Sequence, residues 1–542
     1  MQPYAFGTVA VDPAGVFMEE KPKNQPMVRS DEEGRRRIGA KAYRLLEMVP
    51  GGLVWLTLAL AIVLSFIAPV AAIYFIIIFD LFWLFRVCYF VIFLLASWRR
   101  YRLDVRVDWS ARVFALPRLV EIYHLVFLPT YKEDIEIIRT TLKSLVAASY
   151  PGKKDRFIIV HAGEEGDKDR FLANAKLLSE EFGKEFFKFL VTVHPKGLPG
   201  EMPGKGSNIN WAGHKARELV DELGIPYENV IVSSFDIDTC VHPQYFAHLT
   251  YKYLTHPNPT RTSFQPIALY NNNMWDAPAL VRVAAFGTTF WLMTELTRPE
   301  RLFTFSSHSM SFKALVEVGF WQKDIVTEDS RIFLQCLLHY NGDYTVTPMY
   351  VPVSMDTVMA ETWRRSLKNL YLQQRRWAWG SEHFPYLVSR FWKNPSFPFR
   401  KKIFYVWTLG EGMYTWATAP LMIFMLGYLP FWVAPDRIRS SVLFQNTPHM
   451  LETLMRLALI GVFISAVLSF TLLPPAPHGH RHGKFVMLLQ WVLVPVTFIA
   501  FGSIPAIDAQ TRLMLGRYLG FNVTEKKRLG SAPGASPGSV AA

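Results

Sequence analysis

A chain of 542 residues that is 51% hydrophobic and 15% aromatic is long enough for several domains and too apolar for all of it to face water. Lys and Arg number 58 against 45 Asp and Glu, a formal charge of +13 that admits nucleic acid, anionic lipid or phosphorylated substrates as partners. Cys88, Cys240 and Cys336, odd in number and widely spaced, exclude a disulfide framework and a thiolate zinc site, and fit a polar region in the cytosol.

Residues 1–50 carry Pro, Gly and the basic run Arg35-Arg36-Arg37 with Lys41, and no apolar stretch resembling a cleavable signal; they predict a cytosolic N-terminal arm. Residues 51–98 are almost continuously apolar and predict two membrane helices of about 20 residues each. Pro69 marks one candidate for the turn between them and Asp80 another. If Asp80 and Arg86 lie within the second helix instead, they must face protein or a polar pathway. The cations before this pair, and Arg99, Arg100 and Arg102 after it, put both flanks inside.

From residue 105 to 350 short apolar runs alternate with polar helical ones, the α/β pattern. Leu125-Val126-Phe127-Leu128 predicts a buried strand ending at Pro129-Thr130-Tyr131, and residues 134–148 a helix. Further strands are predicted at 157–160, 189–193 and 230–232, and a helix at 211–223. In open α/β sheets ligands sit beyond the carboxyl ends of strands, so the residues just after each strand are the candidates for chemistry. Residues 381–412, with Lys401, Lys402 and Glu411, predict interfacial helices. Residues 413–505 form a C-terminal membrane region with spans at 413–433 and 453–473. The run 485–505, broken by Pro495 and Pro505, would leave a basic tail outside if it crossed; a re-entrant or interfacial segment keeps the tail inside. Residues 506–529 predict an amphipathic basic helix and a loop, and 530–542 a disordered tail.

Four motifs could carry chemistry. Gly200 to Asn210 lacks P-loop spacing, but its glycines allow close backbone approach, and Lys205, Asn208 and Asn210 offer a cation and amide donors to a diphosphate or sugar; the bland alternative is a mobile turn. Asp236-Ile237-Asp238 follows a strand, and extended geometry would point both carboxylates at one divalent cation; a solvated loop is the alternative. Thr327-Glu328-Asp329 supplies either helix N-terminal charge or a general base. Gln373-Gln374-Arg375-Arg376-Trp377 is either an interfacial anchor or a platform with cations on a diphosphate and an indole under a sugar ring.

Taken in order, PTYKED, GKGSNIN, DID, TED and QQRRW ahead of apolar segments resemble the membrane-embedded family-2 glycosyltransferases of the processive group, which includes cellulose, chitin and hyaluronan synthases. Phe521-Asn522-Val523-Thr524-Glu525-Lys526 resembles the FxVTxK gating loop of bacterial cellulose synthases, which is cytosolic and argues for an even number of spans. The resemblance implies an α/β GT-A type, Rossmann-like domain over residues 105–380, cytosolic and inserted between transmembrane helices of an inner-membrane protein. It implies that Thr130, Tyr131 and Glu133 line a uridine pocket, that Lys205, Asn208 and Asp236 meet the donor, and that Asp238 holds Mg²⁺ or Mn²⁺ on the diphosphate. Asp329 would be the base, with Glu328, Gln373, Arg376 and Trp377 at the acceptor and diphosphate site. Phe521, Val523, Thr524 and Lys526 would close over the donor.

Two departures stand out: His161-Ala162-Gly163-Glu164-Glu165 replaces the usual Asp-Asp-Gly, leaving Glu164 as a substitute base contact, and no PilZ-like domain follows Lys526. The expected function is inverting transfer from a nucleotide-sugar, UDP-linked by resemblance, to a growing glycan that leaves through the protein's own helices. The rivals are a single-addition enzyme acting on a lipid or polyprenyl carrier, and a transporter or scaffold that binds nucleotides. Membrane lipid is an expected partner and nucleic acid is not, because the cations cluster at membrane edges and beside the candidate site.

Overall fold

The computed structural model describes residues 31–392, 394–475 and 483–520. Its centre is one eight-stranded sheet in the order β3-β2-β1-β4-β7-β6-β8-β5. The strands are β1 (Tyr123–Pro129), β2 (Phe157–Glu164), β3 (Lys188–His194), β4 (Val230–Ser234), β5 (Cys240–Val241), β6 (Thr262–Leu269), β7 (Ser309–Ser311) and β8 (Thr345–Ser354). β3, β2, β1 and β4 run parallel, and β7 then pairs antiparallel to both β4 and β6. Leu125, Val126, Phe127 and Leu128 of β1 and Ile158, Ile159 and Val160 of β2 are fully buried, as expected of parallel strands covered on both faces.

The first four strands match the apolar runs read from the sequence, with β2 extending through His161-Ala162-Gly163 to Glu164, so that this motif ends the strand and does not follow it. Residues 205–222 form a helix from Lys205 onward, which replaces the mobile turn considered for Gly200 to Asn210. Gly204, at φ 155°, permits the entry, and Gly206 lets the helix approach: an added Cβ would stand 2.9 Å from the Gln322 carbonyl oxygen.

Two apolar helices precede the sheet domain, Ala40–Ile67 and Pro69–Asp104. The break falls at Pro69, with proline at the first helical position where its missing N–H costs nothing. Asp80 therefore lies inside the second helix, buried, and Arg86 pairs with Glu411 at 2.7 Å. After the domain, helix Phe399–Phe424 runs through residue 412 without interruption and bends by 47° into Leu426–Val433. Val442–Thr471 follows, then the apolar run Phe485–Leu515. By length and composition four helices among the described residues could cross a membrane, or five if the bent pair counts as one span.

The run at 485–515 is hydrogen-bonded at several points to the sheet domain and to other helices. Arg282, on the helix Ala279–Leu296 that packs against β6, donates to Gln490 at 2.7 Å. Arg375 and Tyr371 of the sheet domain donate to Asp508 at 2.9 and 3.1 Å. Just beyond the run, Tyr518 donates to Glu47 at 2.7 Å near the start of the first apolar helix. Residues 490 and 508, which would be about 27 Å apart along a straight crossing helix, both bond to the sheet domain and its flanking helices.

Candidate active site

The carboxyl ends of β1 and β4 and the N-termini of two helices converge on Lys205. Its Nζ donates to Asp236 at 2.7 Å and to both oxygens of Asp329 at 3.0 and 2.9 Å, with Glu328 at 4.0 Å. The lysine side chain is 11% exposed. Burial works against its charge, but Asp236 and then Asp329 outweigh burial and hold it protonated well above the ordinary lysine range. Asp329 and Glu328 occupy the first turn of helix Glu328–His339, where the helix dipole favours carboxylates. Glu328 is buried, its Oε2 has no hydrogen-bond partner, and burial first, then the Asp329 charge, push its pKa above the ordinary carboxylate range.

Asp236-Ile237-Asp238 forms a turn between β4 and β5 instead of an extended segment, so its two carboxylates have different neighbours. Asp236 accepts from Lys205 and from Ser306 Oγ at 2.7 Å. Asp238 is fully buried and accepts from the Asp356 backbone N–H at 2.7 Å. No group of three or more His, Cys, Asp or Glu among the described residues could cage a metal by itself.

Thr130, at the end of β1, is hydrogen-bonded to His161 at 3.0 Å, and Glu133 accepts from the Tyr131 backbone N–H at 2.5 Å. Asn208 donates to the Ala162 carbonyl at 3.1 Å across the strand ends. Glu164, closing β2, accepts from His194 Nδ1 at 2.9 Å, and Glu201 accepts from His194 Nε2 at 2.8 Å. Burial alone would lower the histidine's pKa; the two carboxylates reverse this and raise it to about 9.

Gln373, Arg376 and Trp377 lie on helix Trp363–Ala378, with the Trp377 ring 6.0 Å from Tyr270. Arg375 of the same motif and Trp379 just after it point into protein. Arg375 pairs with Asp508, and Trp379 is buried and donates to Glu382 at 2.9 Å. Behind Asp329, Thr327 donates to Glu382 at 2.7 Å, Ser330 is hydrogen-bonded to His383 at 2.8 Å, and Arg331 donates to His383 at 3.1 Å. The Arg331 and Arg390 guanidiniums each lie 3.7 Å from the Tyr386 ring, and Arg390 donates to both oxygens of Asp31 at 2.7 Å.

Sequence motifs did not reveal Tyr270, Ser306 or His308. Tyr270 follows β6, Ser306 holds Asp236, and buried His308 lies 3.9 Å from Asp329. None belongs to a short motif; only recognition of β6 would have drawn attention to Tyr270. Phe521, Val523, Thr524 and Lys526 lie outside the described residues.

One cavity of about 1510 Å³ joins these groups to the apolar helices. Its walls include Tyr131, Lys205, Asp236 and Asp329, then Gln373 and Trp377, and also Asp80, Leu84, Leu454 and Phe498 from the apolar segments.

A parallel-led mixed sheet, with acidic and basic groups gathered past its strand ends and opening toward apolar helices, defines a group-transfer domain joined to a helical bundle. The model of the family described as glycosyl transferase family group 2 matches residues 231–501, half of the chain, and the protein belongs to that family. Its sheet domain has the Rossmann-like GT-A fold, and the protein is a glycosyltransferase. No curated protein sequence matches the chain. Among solved structures, residues 1–349 of S. aureus TarS in complex with UDP-GlcNAc are 12% identical with a TM-score of 0.33, the match covering 64% of this chain and 90% of that one. Glucosyl-3-phosphoglycerate synthase from Mycobacterium tuberculosis in complex with Mg²⁺ and UDP is 15% identical with a TM-score of 0.28, covering 52% of this chain and 82% of that one.

Proposed function

We propose that the protein transfers a sugar, with inversion, from a UDP-sugar to the end of a growing glycan that passes from the catalytic domain into its own membrane helices. The observation that carries this reading is the continuous cavity from Lys205, Asp236 and Asp329 to Asp80 and Leu454. Thr130, Tyr131, Glu133 and Asn208 surround the nucleoside, and Glu164 stands in for the absent aspartate. Lys205 meets the diphosphate and Asp236 contacts the nucleotide. Gln373, Arg376 and Trp377 seat the acceptor beside Glu328.

In the reaction the acceptor oxygen forms a bond to the anomeric carbon as the bond to the diphosphate breaks, and Asp329 takes the acceptor's hydroxyl proton. Lys205 Nζ is held by Asp236 and Asp329. An entering diphosphate competes for that ammonium and releases Asp329 to serve as base, which ties proton abstraction to donor binding. A divalent cation fits this chemistry when most of its shell comes from substrate phosphates and water, with one or two protein carboxylates; Asp238, with Asp236 beside it, would hold it. Such an ion stabilises the departing diphosphate.

The tethers at Gln490, Asp508 and Tyr518 support four crossings, with 485–515 lying flat at the inner face and the catalytic domain in the cytosol of an inner-membrane protein. A second reading, one sugar added to a lipid carrier, is favoured by the apolar walls at Leu84, Val87, Leu454 and Phe498. Purified protein given a panel of labelled nucleotide-sugars decides between them. A glycan of many sugars supports the polymerase, one sugar per lipid sinks it, and turnover surviving in Asp329→Asn sinks the assignment of the base.

A further inference from the structure

Toward the membrane the cavity passes a group of charged side chains that the transfer step does not use. Arg86 on the second apolar helix, Glu295, Arg298 and Arg301 around the end of helix Ala279–Leu296, and Glu411 on helix Phe399–Phe424 all line it. Glu411 lies 2.7 Å from Arg86 and 3.6 Å from Arg301, and Glu295 lies 3.1 Å from Arg301 and 3.8 Å from Arg298. Glu300, mostly exposed and not part of the cavity wall, stands 3.7 Å from Arg298. The Tyr89 ring lies 4.7 Å from the Arg298 guanidinium.

A tether between helices would explain some of these contacts, but two features go beyond a tether. Each guanidinium carries five N–H donors, and the cavity wall here offers them two carboxylates. Arg301 Nε is buried without a hydrogen-bond partner although Glu295 is near. Contacts of 3.6 to 3.8 Å are charge contacts without the reach of a hydrogen bond. Three guanidiniums thus face two wall carboxylates, and Arg301 keeps a donor unused.

Position is the second feature. Arg86 lies 13 residues, about 20 Å, along its helix from Arg99, inside an apolar span where ionisable groups mark a polar pathway or a function. Arg301 is five residues from Ser306, which donates to Asp236, so no more than roughly 18 Å of chain separates the cluster from the transfer site.

The geometry points to an oxyanion station in which Arg86, Arg298 and Arg301 bind a phosphate or carboxylate carried by the acceptor while the acceptor's reactive hydroxyl lies at Asp329. This rests on the reading of the cavity as the acceptor's path. Two oxygens of one anionic group match the planar fork of a guanidinium, whereas the hydroxyls of a neutral glycan leave these charges as they are.

Purified full-length protein in detergent, followed by its tryptophan fluorescence, tests the station, because Trp83, Trp291 and Trp416 line the same cavity. The probes are two matched pairs: geranylgeranyl phosphate against geranylgeraniol, and a glucuronate tetrasaccharide against cellotetraose. The expected result is at least tenfold tighter binding of the anionic member of one pair. That preference falls to within twofold in Arg298→Gln and Arg301→Gln and is partly kept in Arg298→Lys. The pair that responds tells a lipid phosphate from a glycan carboxylate. Should Arg301→Gln fail to fold, Arg298, whose contacts are longer, carries the test. Equal binding within both pairs, no binding in either, or a preference that survives the variants overturns the proposal. Turnover of nucleotide-sugars by the same preparation separates the two failures: turnover without anion preference removes the station alone, and no turnover removes the reading beneath it.

Discussion

Replacing Lys205 with Met removes the one ammonium that bridges Asp236 and Asp329 and leaves those carboxylates, with buried Glu328 beside them, facing one another. Breaking a buried ion pair by deleting one partner costs about 3–5 kcal/mol, because the surviving charge stays desolvated. Asp236 and Asp329 keep 28% and 19% of their side-chain exposure, so the low end, about 3 kcal/mol, applies. For a domain of this size that corresponds to a fall in melting temperature of roughly 6–12 °C. The assay is thermal unfolding of the purified protein in detergent at several pH values. Because the folded lysine's pKa is raised, its stabilisation is fully present at neutral pH and is lost only as pH climbs beyond the ordinary lysine value of 10.5. The Met variant's deficit should therefore be large at pH 7.5 and shrink only above the ordinary lysine value. Lys205→Arg should recover part of it. A Met variant that melts within 2 °C of the parent at pH 7.5 refutes the reasoning.

Other outcomes follow from the same geometry. His194 titrates at about 9 when folded against an ordinary 6.5, so its contribution is complete below pH 6.5 and lost as pH rises through 9. Melting temperature should thus decline over that interval in the parent, and the decline should be flatter in His194→Gln; parallel profiles refute the bridge. Gly163→Ala would drive a methyl to 2.4 Å from the Phe171 ring, costing about 1–3 kcal/mol by overpacking, read by denaturant unfolding. Gly206→Ala pushes the Lys205 helix from the Gln322 carbonyl at 2.9 Å, so turnover should fall further than stability does; equal losses would show only a packing role.

The parallel half of the sheet was legible because its strands are buried on both faces and therefore read as unbroken apolar runs, as in Phe157-Ile158-Ile159-Val160. β6 and β8 were not. They contain Pro266, Pro348 and Pro352 with Ser and Thr, residues that in a single sequence speak against a strand. The site behaved the same way. Lys205, Asp236 and Asp329 belong to motifs whose order along the chain is informative, whereas Ser306 and Tyr270 reach the site through strands that had not been read. The anchor alternative for Gln373 to Trp377 could not be weighed from composition, which gives a helix's residue types but not which face its neighbours cover. Here residues 504–515 cover it with Asp508.

The clasp of Arg390 on Asp31 sets an order of events during synthesis. At about 5–20 residues per second, the 359 residues between them take roughly 20–70 s to make. Both N-terminal apolar helices have left the ribosome long before Arg390 exists, and the sheet, with Asp329 in place along the chain, comes next. Only then can the Asp31 carboxylate leave water, and with it the Tyr386–Arg331 stack behind the proposed base becomes complete. A chain stalled before residue 390 would hold most of the catalytic groups without the brace that fixes one of them.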